Sequence, residues 1–152
     1  MAKTLLIFGS LTGNTENVAY KIQEICKAKG KEIEVKNALD ADASDLTGEY
    51  SSFIFASSTW DDGQLQSDFN DFIERIAESK PSLAEKKVAI FACGDSNYVN
   101  FCGSASILER VFVNEMGGKK IAEILRVNGY PETEENQTLI QGWAEKLADL
   151  ID

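Results

Sequence analysis

The segment Ser10-Leu11-Thr12-Gly13-Asn14-Thr15 gathers hydroxyls, a side-chain amide and a glycine between the apolar run Thr4 to Phe8 and a stretch with helical spacing. It is neither a Walker loop, which needs a terminal Gly-Lys-Ser/Thr, nor the dinucleotide pattern GxGxxG. It offers the start of a helix: unpaired N–H groups and the positive end of the helix dipole, framed by Ser10, Thr12, Asn14 and Thr15. Gly13 lets a backbone approach closely. A phosphate can be hydrogen-bonded there although the segment holds no lysine or arginine, each bond from a neutral donor being weaker than one from a cation. The plainer alternative is that Ser10 or Thr12 only caps the helix, with Asn14 and Thr15 as bystanders.

Two further segments carry aromatic residues among polar ones. In Ser57-Ser58-Thr59-Trp60-Asp61-Asp62-Gly63 an indole sits between hydroxyls and carboxylates; it either folds back onto the core or offers a flat face to a ligand. In Gly94-Asp95-Ser96-Asn97-Tyr98-Val99-Asn100-Phe101 a phenol occupies the corresponding place. One aromatic from each segment suggests a slot for a planar ring, with the first loop holding that ring's phosphate.

These segments need a scaffold that brings them together. Thr4 to Phe8, Phe53 to Ala56, Val88 to Ala92 and Ile121 to Leu125 read as strands, with Glu32 to Lys36 as a more alternating fifth. The middle runs are apolar on both faces, as a parallel sheet covered by helices requires. Helical spacing links Val18, Ile22 and Ile25; Phe69, Phe72, Ile73 and Ile76; Leu108, Val111 and Phe112; and Leu139, Trp143, Leu147 and Leu150. Gly30, Pro81, Gly117-Gly118 and Pro131 punctuate the alternation. The expected fold is α/β: a three-layer, doubly wound sandwich on a five-stranded parallel sheet of order 2-1-3-4-5, with right-handed crossovers. Ligands then bind beyond the carboxyl ends of the strands, where Gly9 to Thr15, Ser57 to Gln66 and Cys93 to Gly103 follow the first, third and fourth strands. The 152 residues, 43% of them hydrophobic, suit one domain over residues 1–152.

Composition removes several chemistries. A net charge of −10 repels nucleic acid and anionic membranes, favours a monomer and makes basic protein surfaces the expected partners. The chain has no histidine, which excludes Ser-His and Cys-His nucleophile pairs within it. Cys26, Cys93 and Cys102 form an odd set without a CxxC, which argues against a disulfide framework or zinc site and for a reducing compartment. The amino-terminal apolar run is too short for a signal peptide, and no segment approaches a membrane span, so a cytoplasmic location is expected.

The segments SLTGNT, STW with acidic followers, and CGDSNYVNFCG resemble the phosphate loop and the two ring-flanking loops of the flavodoxins, which bind FMN. The order and spacing of the five strands is similar along essentially the whole chain. No insertion of about twenty residues splits the last strand, as in the short-chain group. The resemblance implies that Ser10, Thr12, Asn14 and Thr15, with the backbone of Leu11 and Gly13, hold the FMN phosphate. It implies that Ser58 and Thr59 border the ribityl chain and ring, and that Trp60 and Tyr98 pack on opposite faces of the isoalloxazine. Backbone groups around Gly94, Asp95 and Cys102 would meet the pyrimidine edge, with Cys93 and Phe101 nearby.

Two positions depart from the family pattern. Leu11 stands where a hydroxyl residue is common, so it contributes only its amide. Asp61 follows the tryptophan where similar members commonly have a glycine whose peptide flips toward flavin N5 on half reduction. Gly63 comes two residues later, in a loop two residues shorter. A flip to positive φ costs a non-glycine residue roughly 1 kcal/mol or more, aspartate less than most.

The resemblance implies a low-potential carrier of single electrons, shuttling between redox enzymes through short-lived complexes with basic docking faces. A second negative charge on the ring would face the phosphate and Asp61, Asp62 and Asp95. At about 10 Å each such charge adds roughly 0.4 to 1.7 kcal/mol of repulsion for effective dielectrics of 80 down to 20. Two other readings remain. One is an FMN-dependent NAD(P)H quinone or azo reductase, against which stands an acidic rim unsuited to nicotinamide phosphates. The other is a receiver domain, which needs a phosphoacceptor aspartate that the third strand, ending Phe55-Ala56-Ser57, does not supply.

Overall fold

The structure, a computed structural model, describes residues 2–10, 13–60, 64–95 and 103–152, with Trp60 described through its backbone only. Strand β1 (Thr4–Gly9) is buried along its whole length and lies between β2 (Ile33–Asn37) and β3 (Ser52–Trp60). Next comes β5 (Lys87–Gly94), and beyond it the short strands β6 (Lys119–Lys120) and β7 (Leu125–Asn128). All of these pairings are parallel. Counting β6 and β7 as one broken strand gives the expected order 2-1-3-4-5. Strands this apolar on both faces need cover on both sides, and the helices supply it.

On one face α1 (Asn14–Ala28) and α5 (Glu134–Ala148) pack over Leu6, Phe8, Ile54, Ala56 and Phe91. Gly30 ends α1 at φ +82: its own N–H and that of Lys31 bond back to Lys27 and Cys26, the αL stop that glycine permits. On the other face α3 (Ser67–Ala77) and α4 (Ser104–Glu109), the latter continued by a π-helical turn over Arg110–Glu115, cover Leu5, Ile7, Phe53, Phe55 and Ile90. An aromatic cluster fixes that side. Phe55 stacks on Phe112 with centroids 3.7 Å apart and meets Phe69 edge-on at 6.4 Å.

Four features differ from the sequence reading. First, Ile121 to Leu125 is not a continuous strand: Lys119–Lys120 pair with Lys87 and Val88, the Ile121 N–H still bonds the Val88 carbonyl, residues 122–124 leave the ladder, and pairing resumes at Leu125 opposite Phe91. Two more residues are used on this edge than on β5, a bulge whose Glu123 carbonyl accepts the Trp143 indole N–H at 2.7 Å. Second, the buried face of α5 is Asn136, Ile140, Ala144, Leu147 and Ala148, whereas Leu139 and Leu150 are exposed. Third, β3 runs through Trp60, and β4 (Gln64–Leu65) folds back antiparallel on Thr59 and Trp60, so much of Ser57 to Gln66 is strand. Fourth, a 3-10 turn over Ala38–Asp40 and the short helix α2 (Ala43–Thr47) fill the β2–β3 connection. Arg75 of α3 holds that connection by donating to the carbonyls of Ala38 and Ala41.

Among the described residues, no helix is long and apolar enough to cross a membrane. No cluster of three or more cysteine or carboxylate side chains there is arranged to hold a metal ion.

Candidate functional site

The register of the sheet decides what meets at its carboxyl edge. Gly9 pairs with Ser57, Ser58 with Cys93, and Gly94 with Asn128, so four strands end in adjacent rows. Helix α1 starts over the first of these rows. Its first residue is Asn14, after Gly13 at φ +90, and no side chain among the described residues caps its opening amides. Ser10 does not act as a helix cap: its hydroxyl accepts the N–H of Gly13, ahead of the helix, at 3.1 Å. The space where a Gly13 side chain would sit is open.

Thr15, in the first turn of α1, is fully buried, and its hydroxyl lies 3.0 Å from that of Ser58. Thr15 also hydrogen-bonds the Cys93 thiol. Ser58 in turn reaches the Gly9 carbonyl at 3.5 Å. The fold thus brings together Thr15, Ser58 and Cys93, which are contributed by α1, β3 and β5. Cys93 belongs to the hydrophobic core beneath this point. Burial pushes its thiol up to about 12, only partly offset by the Thr15 hydrogen bond. Burial likewise pushes Cys26 up to about 11 against the pull of Lys29 and Lys31. Both thiols are therefore protonated at neutral pH, and iodoacetamide is expected to leave both unlabelled in the folded protein while labelling both after denaturation. Peptide mapping reads this directly, and labelling of Cys93 in the native state would contradict its burial.

Gly94 ends β5 and Asp95 follows it, half-buried. Of the sequence-derived set, Leu11, Thr12, Asp61, Tyr98, Phe101 and Cys102 lie outside the described residues, as does the side chain of Trp60.

Three residues that the sequence reading did not single out support this edge. Gln66 is 1% exposed; its N–H donates to Ser57 Oγ, and its side-chain oxygen accepts the Phe69 N–H that opens α3. Ser104, fully buried, sits 2.6 Å from the Thr59 hydroxyl. Asn136 donates to the carbonyls of Asn128 and Tyr130, fixing the turn after β7. Gln66 and Asn136 stand at or near helix starts, a weak cue; their partners lie in other elements and carry no local signal. Chemically the edge offers hydroxyls and backbone amides at the positive end of a helix dipole, a donor set suited to a phosphate monoester. The segment from Ser10 to Thr15 adds no cation.

Comparison with known proteins bears on this arrangement. Residues 6–143 match the family described as Flavodoxin. A flavodoxin of Maridesulfovibrio salexigens is 36% identical over 153 residues, covering 99% of this chain and 100% of its own. A probable flavodoxin 2 of Bacillus subtilis is 34% identical over 140 residues, covering 92% and 91%. The crystal structure of oxidised flavodoxin 2 from Bacillus cereus, 33% identical, superposes with a TM-score of 0.90 over 99% of this chain and all of that one. With the family match running from β1 into α5, and the backbone following that of a solved relative from end to end, the chain belongs to the flavodoxin family.

Proposed function

We propose that this chain is a low-potential one-electron carrier, one domain over residues 1–152, that holds FMN non-covalently at the carboxyl edge of β1, β3 and β5. The observation that carries this reading is the uncapped start of α1, set over the contact between buried Thr15 and half-buried Ser58, in a segment without a cation. Neutral donors there can hold a phosphate without neutralising it. In this reading Ser10, Thr12, Asn14 and Thr15, with the amides of Leu11 and Gly13, grip the phosphate. Ser58 and Thr59 border the ribityl chain, and Trp60 and Tyr98 flank the ring. Asp61, Gly94, Asp95 and Cys102 line its polar edge beside Phe101, and Cys93 supports Thr15 from below.

Bound FMN supplies reversible single-electron chemistry. The protein's part is to exclude water with its aromatic faces and to set a negative surrounding. Asp61, Asp62 and Asp95 each raise the cost of adding negative charge at the site, which lowers the potential at which the last electron is accepted. The net charge of −10 steers the carrier toward basic faces of redox partner proteins and away from nucleic acid and anionic membrane. The same charge favours a monomer, and three cysteines without a CxxC suit the reducing cytoplasm.

Reconstitution with FMN followed by dithionite titration tests the reading. A tight yellow complex reduced in two separable one-electron stages is the expected result. Absence of a complex, reduction in one two-electron stage, or rapid direct oxidation of NAD(P)H by the holoprotein would overturn it, the last in favour of a reductase.

A further inference from the structure

We propose that Ser104 is a positioning residue for the ring site, acting through Thr59; the proposal rests on the FMN reading above. Ser104 is fully buried, and it follows Gly103, which has no side chain with which to cap α4. Thr59 of β3 takes over that task from another element: its Oγ1 accepts the Ser104 N–H at 3.4 Å and lies 2.6 Å from Ser104 Oγ. Ser104 Oγ also lies 3.4 Å from the Ser57 carbonyl.

Proton placement gives one consistent pattern. Ser104 O–H donates to the Ser57 carbonyl, Thr59 O–H donates to Ser104 Oγ, and Thr59 Oγ1 accepts the Ser104 N–H, so no donor or acceptor of the three is spent twice. A local role would join neighbours in sequence; this one joins residues 45 apart. It does so where it matters for geometry. Thr59 immediately precedes Trp60, and Gly103-Ser104 is where the chain returns from the segment bearing Tyr98, Phe101 and Cys102. The two segments assigned to opposite ring faces are thus rooted on one hydroxyl pair, and the spacing between the roots is set by that contact rather than by the sheet ladder alone. A slot for a planar ring tolerates little change in width, since its stacking contacts weaken with fractions of an ångström.

The test compares wild type with Ser104→Ala, Thr59→Val and the double variant, by flavin-fluorescence titration and by the visible absorption and circular dichroism of the bound flavin. Ser104→Ala is expected to weaken FMN binding about tenfold, the scale of one lost hydrogen bond. It should weaken riboflavin binding by the same factor, since the phosphate segment is untouched, and should alter the dichroism of the bound ring. The loss in the double variant should be less than the sum of the two single losses, because both remove the Thr59–Ser104 hydroxyl contact. A Ser104→Ala protein with wild-type affinity and spectra, changed only in the melting temperature of its flavin-free form, would overturn the proposal, as would additive losses in the double variant. If wild type itself forms no FMN complex, both this inference and the carrier reading fall; if only the variants behave as wild type, this inference alone falls.

Discussion

Phe55→Ala is expected to lower stability by about 3–5 kcal/mol, a large share of the 5–15 kcal/mol that holds a typical domain. Phe55 is fully buried in the middle of β3 and stacks on both Phe53 and Phe112, with Phe69 against its edge. Removing it deletes the common partner of α3 and of the helix that follows β5. The backbone on each side is held by ladder hydrogen bonds to β1 and β5, so the void cannot close by strand movement. Denaturant titration should show a lower midpoint with an unchanged slope. A loss under about 1 kcal/mol would mean that the surrounding rings repack into the space, contrary to a rigid cluster. Because the strand leads straight to Ser57–Trp60, saturating FMN should restore part of the loss, about 2.7 kcal/mol at a hundredfold excess over Kd.

Gly9→Ala should cost about 1–3 kcal/mol and weaken flavin binding as well. A methyl group at Gly9 would lie 2.5 Å from Gln66 Oε1 and 3.0 Å from Phe69 Cβ. The Gln66 side chain cannot swing away cheaply, since it is buried and its oxygen accepts the N–H of Phe69 at the opening of α3. Moving it also strains the Gln66 N–H bond to Ser57 Oγ, next to Ser58 in the site. Thermal melting of the flavin-free protein and FMN titration measure the two consequences separately. An unchanged melting temperature would show that the Gln66 contact is dispensable.

Several elements were legible from residue order because one physical cause dominated them. β1, β3 and β5 are sandwiched between two helical layers, and continuous apolar runs are their direct record. α1 and α3 carry bulky residues at helical spacing, and Val18, Ile22, Phe69 and Phe72 are all fully buried. In α5 the signal held in part: Leu147 is fully buried and Trp143 packs against the core, but Leu139 and Leu150 are exposed, and smaller residues, Ala144 and Ala148, lie against the sheet where α1 packs closely, with Cys26 Sγ reaching the Ala144 carbonyl. The broken outer strand was hidden for a related reason, since Ile121 and Leu125 both face the core and the excursion between them leaves no mark in the apolar pattern. At the site, Thr15 and Ser58 were named from their segments, but their meeting over Cys93 depends on strand register, which no local pattern encodes. Ser104 and Gln66 were missed because a buried polar side chain looks like a surface one until its partner, 45 residues away for Ser104, is known.

The interrupted outer strand has a consequence for the protein in a crowded solution. An uninterrupted margin of free amides and carbonyls is a template on which a second copy can align its own backbone and grow a shared sheet. Here that margin is cut by the excursion at residues 122–124, where the Glu123 carbonyl is already occupied by an indole. Lys119, Lys120 and Arg126 add exposed cationic side chains along the same border. A border of this shape is a poor template for a shared sheet, and its shape persists at high salt, where repulsion between like-charged molecules fades.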